Sequence, residues 1–324
     1  MKKKLASGAV VLLAGALFGM TVSAQEAVRI GALKGPTYMG IASFQGDAED
    51  QAEAGSYDVT VVTAADELTG KVLAGDVDIA LLPANVASVL YNKTEGGIRV
   101  IDVNTLGVLY IVGESESIGS IEDLKGRTLY LTGKGTTPDY AIQYLLAQHG
   151  MTTEDVKLEY KSEATEVVSM LSEDETALGL LPQPFATVAG MQNENLKILL
   201  DLTKEWDAVQ PEEGGSSLVT GVTVVRSEYL EEHEDAVKTF LADHEQSQAY
   251  TNEHPAEAAE LIAAVGIVPK AAIAEKAIPY CNITYIDGAD MEEALGGYLQ
   301  VLYDMEPASV GGALPGEDFY YIDK

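Results

Sequence analysis

The chain has 324 residues, with 51 acids against 20 bases, a formal charge of −31 and 47% hydrophobic content. That length holds two ordinary domains with full cores, and that mixture is globular rather than disordered. So acidic a surface repels nucleic acid and anionic lipid, and no basic cluster outside the N-terminus offsets the repulsion, so nucleic-acid binding is excluded.

The chain opens with "MKKKLASGAVVLLAGALFGMTVSAQE". Lys2, Lys3 and Lys4 make a positive start, residues 5–20 an apolar run, and Val22-Ser23-Ala24 a set of small residues. This is the pattern of an export signal over residues 1–24, cleaved after Ala24. The apolar run is short and Gly-rich for a membrane span. Cleavage removes three lysines and no acid, taking the charge from −31 to −34. An exported protein of this size needs no cross-link, and its one cysteine, Cys281 in "AIPYCNITYI", reads as a core thiol.

Beyond the signal, strand-like runs come in two sets. "VRIGAL" (28–33), "YDVTVV" (57–62), "VDIALL" (77–82) and "IRVIDV" (98–103) precede "RTLYLT" (127–132), "DVKLEY" (155–160), "TALGLL" (176–181) and "LKILLD" (196–201). Corresponding runs start 99, 98, 99 and 98 residues apart. Helix-length segments such as "DELTGKVLAG" and "DYAIQYLLAQHG" separate them, which predicts parallel βαβ units. Two α/β lobes of related topology are expected.

The shared phrases fall where a strand ends and a helix begins. "LKGPT" (33–37) answers "GKGTT" (133–137), and "LLP" (81–83) answers "LLP" (180–182). That edge of an open sheet is where ligands bind, because unpaired amides of each first helical turn point outward there. In the first jaw Gly35 and Pro36 shape the turn, and Thr37 caps a helix or touches ligand. Tyr38 offers a ring or hydroxyl, and Met39 follows it. Pro83, Ala84 and Asn85 open the next helix, with Asn85 as cap or ligand donor. The second jaw repeats this: Gly135, Thr136 and Thr137 precede Pro138, and Gln183 and Pro184 mirror the earlier Pro-Ala-Asn. Thr137, like Thr37, reads as cap or contact; Lys34 and Lys134 read as solvated turn residues. These thirteen positions, from Gly35 to Pro184, form the candidate ligand site.

Other chemistries fit poorly. "GKGTT" lacks the G-x-x-x-x-G-K-[ST] phosphate-loop spacing. His149, His233, His244 and His254 lie on helical segments away from the jaw loops, so no zinc site is expected. "DGADMEEA" (287–294) lacks the calcium-loop pattern, and no nucleophile–base pair stands out by spacing. The chain calls for no cofactor, no metal and no catalytic residue.

The phrases "DIALLPANVASVLYNKTEGG", "NTLGVLYIVG", "SIEDLKGRTLYLTGKGTTPDYA", "LLPQPFATVA" and "GVTVVRSEYL" resemble the solute-binding proteins of ABC importers. The similar family includes binding proteins for aliphatic sulfonates, taurine, nitrate and the pyrimidine precursor of thiamine. The tail phrases "AIPYCNITYIDG" and "GGYLQVLYDMEPASVGGALPGEDFYY" look like one exported subgroup of it, commonly lipoproteins. The resemblance implies a two-lobed type II periplasmic-binding fold, each lobe a mostly parallel sheet flanked by helices, with a hinge of two crossover segments. Lobe 1 would comprise 25–113 plus 218–324, and lobe 2 would comprise 114–217, with the first crossing near Glu114. It implies an ABC permease with its ATPase as partner and a monomer that closes on its ligand. Enzymes of the thiamine-pyrimidine and menaquinone pathways share the fold, and a binding subunit of a sensory system is a further alternative.

Two departures stand out. Met20 occupies the place of the lipoprotein cysteine, which implies a periplasmic or freely secreted protein without lipid attachment. Tyr38 stands where relatives often have a smaller residue. The absence of arginine from the jaw loops argues against a multiply charged anion. That leaves a small sulfonate- or carboxylate-like monoanion, or a polar heterocycle stacked near Tyr38.

Overall fold

The computed structural model describes residues 27–45, 57–114, 118–211 and 215–322; the export signal at 1–24 lies outside them. The first repeat supplies β1 (Val28–Leu33), α1 (Pro36–Met39), β2 (Tyr57–Val62), α2 (Ala65–Ala74), β3 (Ile79–Pro83), α3 (Ala84–Lys93) and β4 (Ile98–Thr105). Then come β5 (Leu109–Gly113), β6 (Thr128–Leu131), α4 (Thr137–Gln148), β7 (Lys157–Tyr160), α5 (Ala164–Glu173), β8 (Leu178–Pro182), α6 (Phe185–Gln192), β9 (Lys197–Asp201) and α7 (Leu202–Ala208). The chain finishes with β10 (Gly221–Arg226), α8 (Ser227–Glu232), α9 (Glu234–Glu253), α10 (Pro255–Ala264), α11 (Ala271–Ala277), β11 (Ile283–Ile286) and α12 (Gly288–Met305).

These strands build two sheets, ordered β2-β1-β3-β10-β4-β11 and β7-β6-β8-β5-β9. Strand for strand, the first five positions match. Ile30 faces Val59 and Ile79, and 99 residues later Leu129 faces Leu158 and Leu178. The repeat read from the sequence is therefore a repeat of register as well as of order. Within each sheet β1–β4 and β6–β9 share one direction, and the fourth slot is filled by an antiparallel strand, β10 or β5. The sheets are mixed in pairing though mostly of one direction.

That fourth slot corrects one expectation. "LYIVG" was assigned to the first lobe, with the crossing near Glu114. As β5 it bonds to β8 and β9 instead, so the chain passes between sheets at residues 106–108. In exchange β10, which follows the second sheet's last strand, enters the first sheet between β3 and β4. An apolar five-residue run pairs equally well with either sheet, and its sequence carries no sign of which one receives it.

Local chemistry explains the elements that frame the site. The runs "IALLP" and "LGLLP" are buried at every position but the final proline, as expected of strands covered on both faces. Helix α2 begins with Asp66 and Glu67 and ends on left-handed Gly75, which matches the helix dipole and the usual C-cap. Helix α9 buries Val237, Phe240, His244, Gln248 and Thr251, a stripe at spacings of three and four.

One apolar cluster runs through both lobes, from Leu82 and Val100 past Leu218, Val219, Tyr298 and Trp206 to Ile111 and Leu129. Trp206 of α7 packs between Tyr144 of α4 and Tyr298 of α12, with tilted rings whose centres lie 4.3 and 5.8 Å away. Its indole N–H donates to the Ser216 carbonyl at 2.9 Å. A second bridge is the Tyr110 hydroxyl of β5, which donates to the Tyr280 carbonyl at 2.7 Å. The lobes thus meet through packed aromatic side chains as well as through the crossing segments.

Candidate ligand site between the lobes

Four of the expected residues, Thr37, Pro83, Ala84 and Gln183, meet the crossing segments 105–108 and 218–221. Thr37 lies against Gly221: a Cβ there would stand 2.7 Å from the Thr37 methyl and 2.5 Å from Asn104 Oδ1, so only glycine fits. Ala84 donates its N–H to the Thr220 carbonyl at 3.1 Å, and Thr220 donates its own N–H to Thr105 at 3.0 Å. In the other lobe Gln183 donates its N–H to the Val108 carbonyl at 3.0 Å. Pro83 pairs with Gly221 across the sheet, and Pro184 is the N-cap residue of α6.

Five buried side-chain atoms in this region have no hydrogen-bond partner among the described residues: Tyr38 Oη, Asn85 Oδ1, Gln183 Nε2, Thr203 Oγ1 and Thr220 Oγ1. Each belongs to a crossing segment or to a residue bonded to or packed on one, as Thr203 is on Gly107, or is the chain neighbour of such a residue. An unsatisfied buried polar atom costs about 1–3 kcal/mol, and native proteins leave few of them. Three come from one lobe or its crossing strand, and Gln183 and Thr203 from the other.

The geometry fixes the polarity of both amides. Asn85 Nδ2 faces the Ser309 carbonyl at 3.4 Å, an atom that only accepts, so Oδ1 is the free end. Gln183 Oε1 accepts from the Thr187 N–H at 3.3 Å and its hydroxyl at 2.8 Å, which leaves Nε2 free to donate. Asn85 was expected as a cap or ligand donor; it caps nothing and presents an acceptor. Tyr38 and Met39 are wholly buried, and burial alone pushes the Tyr38 hydroxyl up to about 12. Met39 is a core residue: its sulfur meets the buried thiol of Cys281 at 3.7 Å and its carbonyl accepts from Thr251 at 3.1 Å.

The expected threonine caps are corrected as well. The N-cap of α1 is Gly35, with φ of 148°, and Thr37 inside the turn donates to the Leu33 carbonyl at 3.3 Å. The N-cap of α4 is Thr136, whose hydroxyl turns back to the Gly133 carbonyl at 2.6 Å and makes no cap bond. Thr137, one place further on, accepts from the Tyr298 hydroxyl of the other lobe at 3.4 Å. Lys34 and Lys134 are exposed turn residues, as expected, with Lys134 Nζ 5.4 Å from the Tyr160 ring centre.

Sequence reading missed the residue that dominates the second jaw. Asp139, 4% exposed, takes the Gly135 N–H at 2.7 Å, the Tyr160 hydroxyl at 2.6 Å and the Gln143 amide at 2.5 Å. Its carboxylate occupies the start of α4, one of the helix starts expected to face a ligand. With Lys134, Gly135, Tyr140, Met305 and Glu306 it lines an interlobe crevice of about 290 Å³. A larger crevice, about 440 Å³, is lined by Ile101, Lys238, Tyr285 and Asp287 among others, all on the first-lobe side.

Also missed was a buried chain of polar groups from α9 to the crossing strands. Gln248 meets His244 at 2.7 Å, His244 meets Asp102 at 3.0 Å, and Asp102 accepts from Thr223 at 2.8 Å. Thr223 accepts from Asn104 at 3.0 Å, whose Oδ1 accepts from Thr105 at 2.8 Å. His244, on a helix away from the jaw loops as expected, is thereby linked through Asp102, Thr223 and Asn104 to Thr105 at the hinge. The polar residues inside "IRVIDVNT" and "GVTVVR" were the available signal.

The family described as NMT1/THI5-like matches residues 57–258. The chain belongs to that family. A structure of an ABC transporter protein from Parabacteroides distasonis is 25% identical to this NMT1/THI5-like protein. It covers 92% of this chain and 99% of that one, with a TM-score of 0.75. The periplasmic aliphatic sulphonate binding protein of Escherichia coli shares the fold at a TM-score of 0.71 and 16% identity, over 92% of this chain and 93% of its own. A Brucella abortus chain described as a candidate binding protein is 22% identical over 238 residues, 72% of each chain. Family and fold make this NMT1/THI5-like chain a solute-binding protein of the ABC-importer type rather than an enzyme, and membership implies an exported protein that works with a permease and its ATPase.

Proposed function

We propose that the protein, as a monomer freed of residues 1–24, captures a small polar solute between its lobes and presents it to the permease. The lobes divide at 105–108 and 218–221. The solute touches the first jaw at Tyr38, Asn85 and Thr220 and the second at Gln183, with Gly35, Pro36, Thr37, Pro83 and Ala84 shaping one wall. Gly135, Thr136, Thr137 and Pro184 shape the other. The supporting observation is that orphaned buried polar atoms come from both lobes just past the matched prolines Pro83 and Pro182, Asn85 Oδ1 two residues on and Gln183 Nε2 one residue on. A ligand that pairs with both favours the closed form, because only that form offers both contacts.

Micromolar capture needs about 8 kcal/mol net, and losing one hydrogen bond of about 1–1.5 kcal/mol lowers affinity about five- to tenfold. Asn85→Ala and Gln183→Ala, each titrated calorimetrically with a solute found by thermal-shift screening, should each bind at least fivefold more weakly while melting within a few degrees of the parent. Full affinity in both variants would show that the solute does not sit in this cleft.

A further inference from the structure

We propose that the cleft selects an uncharged solute carrying an N–H donor beside a hydrogen-bond acceptor, the pattern of a carboxamide or lactam, and discriminates against sulfonates and carboxylates. This rests on the cleft reading above and narrows it to one ligand chemistry.

The first ground is the free ends of the two amides. Asn85 Oδ1 only accepts, and turning the group over would set two acceptor oxygens, its own and that of Ser309, against each other at 3.4 Å. Gln183 Nε2 only donates, because Oε1 is held by the Thr187 N–H. A solute spanning them needs a donor at one end and an acceptor at the other. A sulfonate or carboxylate has acceptors alone and would set an oxygen against Asn85 Oδ1. The Tyr38 and Thr220 hydroxyls, which donate or accept, tolerate either pattern and leave the selection to the two amides.

The second ground is the use already made of amides that hold anions elsewhere. Gly135 N–H is taken by the Asp139 carboxylate, Ala84 N–H by Thr220, Thr187 N–H by Gln183, and the Tyr38 and Met39 N–H groups by Gly35. At α4 the helix start is met by a built-in negative charge rather than left open to one from solution. With Glu306 of the first lobe also on that crevice and Lys134 the one cation lining it, the interlobe crevice carries net negative charge. An uncharged solute meets no such repulsion.

Matched pairs test this: benzamide against benzoate and benzenesulfonate, and nicotinamide against nicotinate, titrated into the full mature chain with Trp206 emission as readout. Trp206 is the sole tryptophan and lies between the lobes, so closure alters its surroundings. The proposal expects at least one amide to bind at least tenfold more tightly than its acid. It also expects Asn85→Asp to shift preference toward the cationic isostere benzamidine, which a merely structural Asn85 would not do. Tighter binding of any acid than of its amide, or no binding by any uncharged member, overturns the proposal. If the acids bind and the Asn85→Ala and Gln183→Ala variants weaken them, cleft capture stands and only the charge preference fails. Binding unaffected by either variant removes both.

Discussion

Tyr38 separates a binding role from a packing role at a single atom. Its ring is buried in the first-lobe core, but its hydroxyl has no partner among the described residues. Tyr38→Phe therefore leaves a core of the same shape and removes an unsatisfied group. The variant should melt at the parental temperature or slightly above, by up to about 1 kcal/mol of added stability, while binding its solute more weakly; a clear loss of stability would show that the hydroxyl is paired. Because burial raises this group to about 12, its contribution to binding should not change between pH 6 and 9. Asn85 and Gln183 stood out in the sequence as candidate site residues because uncharged amides beside prolines at strand exits serve packing poorly. Their polarities were not legible, since Ser309 lies 224 residues from Asn85 in the chain.

Three strands of the first sheet are tied together by one carboxylate. Asp78, just before β3, is 3% exposed and binds Arg29 of β1 and Arg226 of β10 at 2.5 and 3.2 Å. Burial by itself would raise this carboxyl, but the hydrogen bonds from Arg29 and Arg226 outweigh it and hold the group below the ordinary value. A carboxyl lower in the folded than in the unfolded chain stabilises fully above its unfolded value, and that contribution is lost as pH falls through the folded value. Asp78→Ala should cost about 2–3 kcal/mol at neutral pH, less than a fully buried pair because Arg29 is 40% exposed. Melts from pH 7 to pH 3 should show the gap between variant and parent closing below about pH 4; a constant gap would refute the assignment. At this scale the sequence carried most of the fold. All eight repeat strands formed within a few residues of their expected bounds, because their apolar runs are long and flanked by turns. The exchange of β5 and β10 was hidden, since a pairing partner a hundred residues away leaves no local mark.

Across the whole molecule, the repeat explains why a cleft exists, and the crossing segments explain where it lies. Two sheets of the same order, each completed by the other's outgoing strand, place both sets of helix starts around residues 105–108 and 218–221. The amide-lined jaws expected from the sequence are in several places already closed by Asp139, Thr220 and Gln183. What remains is a smaller set of side-chain atoms with defined polarity. The edge proposed to bind was legible from topology; the chemistry of its surface depended on contacts between segments that only folding brings together. A crystal structure of the mature chain with a solute found by screening is the most direct test. That solute should lie within about 2.7–3.2 Å of both Asn85 Oδ1 and Gln183 Nε2. A solute held by one lobe alone, or seated in the first-lobe crevice beside Lys238 and Tyr285, would contradict capture between the lobes.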